Sequence, residues 1–271
     1  MNTLYIVPTP IGNLEDITLR ALRILREVQL IAAEDTRTTR VLLDRYEIRT
    51  PLTSYHEHNK LTKLDALFDA LSVGDVALVS DAGTPGISDP GYELIREAIA
   101  RGVTIVPLPG ASAITTALIA SGLPTDGYVY LGFLPRKEST LRDLLSDLRA
   151  ERRTLIAYES PNRLCDALAA VRDVLGDRPA VVGRELTKLH EEIYRGTVNT
   201  ALAHFTEQPP RGEITLVIGG ALDVPTEVWD AARVQAALDQ RIAAGESRKE
   251  AARVVAAASG WIRRDVYNLY E

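Results

Sequence analysis

The 271-residue sequence predicts an α/β protein with two α/β domains, residues 1–122 and 123–222, and a small C-terminal helical unit at 225–271. Three observations predict it. Short apolar runs alternate with amphipathic helical segments through the first half, the pattern of βαβ units and a mainly parallel sheet. A turn-rich segment, Gly122-Leu123-Pro124-Thr125-Asp126-Gly127, interrupts that alternation and reads as a linker. From Pro225 onward only helical periodicity remains.

In order, residues 4–7 form the first strand, and Ile17, Ala21, Ile24, Leu25 and Val28 line one helix face. A strand at 30–33 precedes a helix through 41–43. A short strand at 52–55 leads into a helix carrying Leu61, Leu64, Leu67, Phe68 and Leu71. Gly74-Asp75 turns into a strand at 76–79, and Asp89-Pro90 supplies a capping side chain and a first-turn proline for the helix near Tyr92. Gly102 ends that helix; a strand at 103–106, the loop 107–110 and a small-residue helix at 112–121 follow. Past the linker come a strand at 128–134, a helix at 141–148 and a strand at 155–158, after which Ser160-Pro161 starts another helix. Strands at 180–185, 191–198 and 213–218 enclose a short helix at 201–205. Some lie too close for a crossover helix, so the second sheet is expected to be mixed.

In the C-terminal unit Val234, Ala237, Leu238 and Ile242 make one helix face, and Gly245 breaks it. Ser247-Arg248-Lys249-Glu250 reads as a capping box opening a helix at 251–258, and 261–270 forms a third, an arrangement like a helix-turn-helix. Between Arg241 and Arg264 six basic residues (Arg241, Arg248, Lys249, Arg253, Arg263, Arg264) face two acidic ones, Glu246 and Glu250, inside a chain of net charge −6. Such an excess suits either a solvated helical cap or an RNA contact, with arginines on phosphates.

The segment richest in functional signal is Ser80-Asp81-Ala82-Gly83-Thr84-Pro85-Gly86-Ile87-Ser88-Asp89-Pro90-Gly91, which follows the strand at 76–79 directly. An open α/β sheet holds its ligands outside the carboxyl ends of its strands. Glycine permits close main-chain approach and proline fixes a loop's shape. The stretch lacks the Gly-x-Gly-x-x-Gly spacing of dinucleotide folds and the Gly-Lys-Ser/Thr of a phosphate loop, which counts against a nicotinamide oxidoreductase or an ATP cradle. The negative net charge excludes a basic surface over the whole protein. Cys165 is the only cysteine, which rules out an intrachain disulfide and leaves a cysteine zinc site without ligands. Of the four histidines, His56 and His58 alternate, but nothing else supports a metal pair, and no metal is expected. The N-terminus lacks a signal-peptide pattern and no apolar stretch nears the roughly 20 residues of a membrane span, so a cytoplasmic protein is expected.

Several segments together carry a resemblance. Ile6-Val7-Pro8-Thr9-Pro10-Ile11-Gly12-Asn13-Leu14 resembles the N-terminal signature of the tetrapyrrole methylase superfamily. Ala33-Glu34-Asp35-Thr36-Arg37, Ser54-Tyr55-His56-Glu57-His58-Asn59, the loop at 80–91, Pro109-Gly110-Ala111-Ser112-Ala113, Tyr158-Glu159-Ser160-Pro161-Asn162-Arg163 and Arg184-Glu185-Leu186-Thr187-Lys188 resemble its branch that methylates the 2'-hydroxyl of a cytidine ribose in small-subunit ribosomal RNA. The likeness runs from about residue 3 to 220, and the helical unit fits the same branch.

The resemblance implies S-adenosylmethionine in a cleft between the two α/β domains, a homodimer, and ribosomal RNA, perhaps within an assembled 30S particle, as partner. It implies cofactor contacts from Pro10, Asp81, Gly83, Thr84, Pro85, Gly86, Ser112, Ala113, Gly212, Glu213 and Ile214. Substrate contacts are implied for His56, Tyr158, Arg163, Arg184, Arg248, Lys249 and Arg253. A ribose hydroxyl is a weak nucleophile, so a base contributes roughly 10²–10⁴-fold. Glu34, Asp35 and Arg37, ending the second strand, are the catalytic candidates. His56 with Glu57, the Tyr158–Glu159–Arg163 set, and Arg184 with Glu185 stay open beside them. Methylation of a small tetrapyrrole or a protein side chain, and a binding protein without chemistry, are the rival readings; the basic unit counts against the first and intact glycine loops against the second.

Overall fold

A computed structural model describes residues 2–59, 61–221 and 229–269. Residues 1–220 pack as one compact unit and 221–271 as a second. The first sheet contains β1 (Thr3–Ile6), β2 (Leu30–Ala33), β3 (Leu52–Ser54), β4 (Val76–Val79) and β5 (Thr104–Pro107) in the order β3-β2-β4-β1-β5. Every pairing in it is parallel. Four crossover helices, α1 (Leu19–Glu27), α2 (Thr36–Arg45), α3 (Leu64–Val73) and α4 (Tyr92–Ala100), cover its two faces. The alternation of β4 shows how. Ala77 and Val79 pack with Leu22, Leu25, Leu42 and Leu43 of α1 and α2, whereas Val76 and Leu78 pack with Leu67, Leu71 and Leu94 of α3 and α4. With both faces buried, a parallel strand reads as a continuous apolar run, which is why Val76–Val79 was legible.

The second sheet holds β6 (Tyr128–Phe133), β7 (Thr154–Glu159), β8 (Pro179–Arg184), β9 (Glu192–Thr197) and β10 (Ile214–Ile218), ordered β6-β7-β10-β8-β9. It is mixed, as expected: β6 and β7 are parallel, and the other pairs are antiparallel. The helix α5 (Ala113–Ser121) follows β5 of the first sheet but packs on the second, its Ile114, Ala117 and Leu118 against Ile156, Val181 and Val217. Its small residues serve this close approach. The opposite face is covered by α6 (Glu138–Asp147), α7 (Leu164–Leu175) and α8 (Val198–Glu207) around Leu145, Leu168, Val171 and Phe205. Burying a leucine such as Leu168 contributes about 1.5–3 kcal/mol, and this core holds many such residues.

The second unit contains α9 (Ala231–Ala243), α10 (Arg248–Ser259) and α11 (Arg263–Asn268) around Val234, Leu238, Ala251, Val255 and Val266. Pro225 and Tyr270, the expected limits of these helices, lie outside the described residues. Gly245 turns the chain between α9 and α10 with φ +91°. The capping box forms by half: the Ser247 hydroxyl accepts the Glu250 N–H, but the Glu250 carboxylate binds Arg253 instead of reaching back. Two starts also differ from expectation. The third helix begins at Leu64 and leaves Leu61 exposed, and α4 is capped by Gly91, which frees Asp89 for another role.

Candidate active site

In a parallel sheet every strand delivers its carboxyl end to the same edge. That edge here carries Glu34 and Asp35 after β2, the glycine loop after β4, and Ser112 after β5. Thr9, beyond β1, binds the glycine loop through a two-way backbone bridge: its N–H donates to the Gly83 carbonyl at 2.8 Å and accepts the Gly83 N–H on its own carbonyl at 2.9 Å. Gly83 holds φ +75°, which favours glycine. On the other side, antiparallel pairing of β7 and β10 sets Ile214 opposite Glu159. The end of one strand and the start of the next therefore arrive together.

Between these edges lies a cleft of about 460 Å³, within the range of small-molecule sites. Glu34, Asp81, Gly83, Thr84, Ser112 and Ala113 line it from the first side, and Tyr158, Gly212, Glu213 and Ile214 from the second, all sequence-predicted residues. Ile11, Ala82, Ile87, Ser88, Asp89, Phe133, Glu159, Ser160, Pro161 and Thr215 also line it. Pro10, Pro85, Gly86, Asp35, Arg37, His56, Arg163 and Arg184 do not contribute to its lining. Arg248, Lys249 and Arg253 belong to the helical unit.

The cleft is acidic, and its carboxyls are held high. Burial pushes Glu34 up, with the Asp81 charge adding to it although the Asp81 N–H opposes it. Asp81 is likewise raised, chiefly by burial, against the opposing hydrogen bond from the Asp35 N–H at 3.0 Å. Asp89 is pushed up to about 7 by burial and then by the Glu34 charge. Asp35 behaves oppositely. It caps α2 by accepting the Arg37 N–H, and the Arg37 guanidinium folds back on it at 2.6 Å, which draws its carboxyl down to about 2. Glu159 is 3% exposed; burial raises it, while the Ser160 N–H at 2.7 Å and Arg163 at 3.2 Å favour its charge.

An aromatic group closes the second side. The Ser88 hydroxyl lies 2.6 Å from the Tyr130 hydroxyl, and the Tyr130 and Phe133 rings stand edge-on to Tyr158 at 5.3 and 5.4 Å. Burial raises both tyrosines, so each keeps its proton at neutral pH. Ser88 sits at φ +63°, a conformation that costs a residue with a Cβ. Gly212 is required where it stands. At φ +83° its added Cβ would collide with the Glu185 carboxyl, which accepts the Glu213 N–H at 2.9 Å.

The remaining predicted residues have defined partners. Arg163 donates to the Leu134 and Pro135 carbonyls, and Arg184 binds Glu192 at 2.8 Å while Glu185 pairs with Lys188 at 2.9 Å. His56 Nε2 lies 3.1 Å from the Asn59 amide, and its Nδ1 is buried without a hydrogen bond among the described residues. Arg248 lies over the Tyr267 ring at 4.3 Å, Arg253 pairs with Glu250 at 2.6 Å, and Lys249 is exposed.

Residues 3–202 match the family described as Tetrapyrrole (Corrin/Porphyrin) Methylases. The chain belongs to that family. It is 48% identical to the ribosomal RNA small subunit methyltransferase I of Halalkalibacterium halodurans, an alignment covering 99% of this chain and 94% of that protein. The Bacillus subtilis protein of the same name is 44% identical over 100% of this chain and 94% of its own length. The one from Thermotoga maritima is 48% identical over 221 residues, 81% of this chain but 99% of that protein. Among solved structures, a diphthine synthase matches with TM-score 0.63 and 14% identity, covering 80% of this chain and 90% of that one. The uroporphyrin-III-C-methyltransferase of Thermus thermophilus matches with TM-score 0.57 and 19% identity, over 81% and 94%. These last two show the shared fold.

As a tetrapyrrole methylase the protein is an S-adenosylmethionine-dependent methyltransferase. The cleft fits that cofactor. Gly83, Ala82, Ala113 and Gly212 give a low wall for an adenosyl group, with no phosphate cradle. Glu34, Asp81, Asp89 and Glu213 suit a ligand with sulfonium and ammonium charges. Ser112 leaves the N-terminus of α5 without a side-chain cap, available to a carboxylate. Asp89, Ser88, Tyr130 and Phe133 escaped sequence reasoning. Asp89 read as a helix cap, and the signal available was an acid in a glycine loop at a strand's carboxyl end.

Proposed function

We propose that this enzyme methylates the 2'-hydroxyl of a cytidine ribose in small-subunit (16S) ribosomal RNA, working as a cytoplasmic homodimer on the assembled 30S particle. The observation that carries the reading is the near-full-length likeness to proteins named ribosomal RNA small subunit methyltransferase I, at 43–48% identity over nearly the whole chain. The acidic, small-walled cleft supports the cofactor half of it. That no helix of the described residues is long and apolar enough to cross a membrane agrees with an RNA-directed enzyme.

When bound, S-adenosylmethionine supplies an electrophilic methyl group for in-line displacement. The chain's own residues bind and align. Gly83, Thr84, Ser112, Ala113 and Gly212–Ile214 hold the cofactor, with Pro10, Pro85 and Gly86 shaping the loops behind them. Alignment alone is worth about 7–11 kcal/mol of barrier. Glu34 and the Asp35–Arg37 pair stand at the cleft edge, where they orient the incoming ribose. Phe133, 63% exposed at the rim, offers a flat face to a base, and such stacking is worth about 1–3 kcal/mol. His56, Tyr158, Arg163 and Arg184 shape the substrate side. Lys249, with Arg248 and Arg253, contributes phosphate contacts that are insensitive to sequence.

The experiment is transfer of labelled methyl groups to small subunits lacking the modification, followed by mapping of the labelled nucleotide. The reading expects one ribose-methylated cytidine. Label on a base, on protein, or nowhere overturns it.

A further inference from the structure

The cleft carboxyls are not equivalent in what they already hold. Asp35 accepts both the N–H and the guanidinium of Arg37. Asp81 accepts the Asp35 N–H at 3.0 Å, and Glu34 accepts the Asp81 N–H at 3.3 Å. Asp89 lines the cleft with a hydrogen bond from the Ser80 hydroxyl and no main-chain donor among the described residues. Nor does it cap a helix, since Gly91 holds that position in α4. Its neighbour Ser88 bonds to Tyr130 of β6, so the loop is pinned to the second sheet one residue before Asp89. A carboxylate with unused lone pairs thus stands between the strand ends of the first sheet and the aromatic wall of the second.

We propose that Asp89 is the proton acceptor for the hydroxyl that is methylated, with the Ser88–Tyr130 hydrogen bond as its positioning device. The inference rests on the hydroxyl-directed reading above. As the hydroxyl oxygen forms its bond to the methyl carbon, the carbon–sulfur bond breaks and its electron pair stays on sulfur, discharging the sulfonium. The hydroxyl proton passes to the Asp89 carboxylate, and solvent removes it after turnover. The charged and titratable groups facing Asp89 are Glu34 and Asp81 from its own sheet and Tyr130 and Tyr158 from the other. The two carboxyls raise it, and the tyrosines stay neutral. An acceptor titrating near neutrality combines ionisation with proton affinity at working pH. Asp35, drawn down to about 2 by Arg37, is a poor base by the same criterion.

The test combines single-turnover methyl transfer to unmodified small subunits between about pH 5.5 and 9, calorimetry with S-adenosylhomocysteine, and carboxyl carbon NMR titration. Asp89→Asn is expected to slow transfer at neutral pH by about 10²–10⁴-fold and abolish the acid limb, with the ligand's Kd within about threefold of wild type. Glu34→Gln removes one raising charge, so the Asp89 carboxyl and the acid limb should move together to lower pH. Transfer by Asp89→Asn within about tenfold of wild type overturns the role. So does a Kd that worsens in step with the rate, which makes Asp89 a cofactor ligand. A limb that moves independently of the Asp89 titration overturns it as well. Wild-type enzyme that methylates no hydroxyl in the subunits overturns the parent reading, a result distinct from an active Asp89→Asn variant.

Discussion

The two sheets of the first compact unit build one cleft by different means. The all-parallel sheet sends every strand end to one edge and supplies loops: main chain at Gly83, carboxyls at Glu34, Asp81 and Asp89, an open helix start at Ser112. The mixed sheet supplies side chains and a strand start, because antiparallel β10 begins where β7 ends: Tyr158 and Glu159 on one strand, Gly212–Ile214 leading into the other. Polarity of strand pairing decides which kind of group a sheet can offer a ligand. The first sheet is suited to holding a cofactor by backbone and charge, and the second to closing over it with aromatic and apolar surface.

If both sheets hold the cofactor, a break on either side should cost affinity. The largest effects are expected from Gly212→Val and Gly83→Val. Both positions have positive φ, and at Gly212 the new side chain displaces the Glu185 carboxylate from the Glu213 N–H. Each is expected to weaken S-adenosylhomocysteine binding by at least about 100-fold in calorimetry while the circular dichroism spectrum stays near native, since positive-φ strain costs about 1–3 kcal/mol locally. Unchanged affinity in one variant removes that side from the cofactor site.

A smaller effect comes from pH. The folded carboxyl of Asp89 is raised from 3.8 to about 7, so the folded state binds the proton more tightly than the unfolded one. Its contribution to stability is therefore present in acid and lost as pH rises from about 4 to about 7. Thermal melts should show Asp89→Asn gaining on wild type across that window, with the gain complete above neutrality. Parallel melting curves in both proteins would show that Asp89 is not desolvated. Tyr130→Phe tests the joint between the sheets. Losing the hydrogen bond to Ser88 is expected to cost about 1 kcal/mol in denaturant unfolding, and no cost would show the contact to be incidental. The smallest effect is expected from the helical unit: replacing Arg248, Lys249 and Arg253 by Ala should reduce the salt dependence of subunit binding by at most about one unit of log–log slope per lost phosphate contact. Arg253 is paired with Glu250 and Arg248 stacks on Tyr267, so Lys249 should account for most of it.

How much was legible in the sequence follows the same division. The fully buried strand Val76–Val79 and the glycine loop after it announce themselves by composition, because a parallel strand is apolar throughout and a ligand loop needs glycine and proline. The mixed character of the second sheet followed from strand spacing alone. The aromatic wall did not, because the Ser88–Tyr130 bond joins residues 42 apart and leaves no local pattern. Asp89 looked like a cap since Asp-Pro before a helix is ordinarily one, and the tertiary fold gave that place to Gly91. Arg163 and Arg184 looked like substrate contacts for want of visible partners; folding hands them main-chain carbonyls and Glu192.

The measurement that bears most directly on the whole account is a crystal structure of the enzyme with S-adenosylhomocysteine. The account places the ligand among Gly83, Ser112, Tyr158 and Gly212, with the Asp89 carboxyl open to the same space. A ligand seated elsewhere on the molecule, or side chains filling this cleft in its presence, would contradict it.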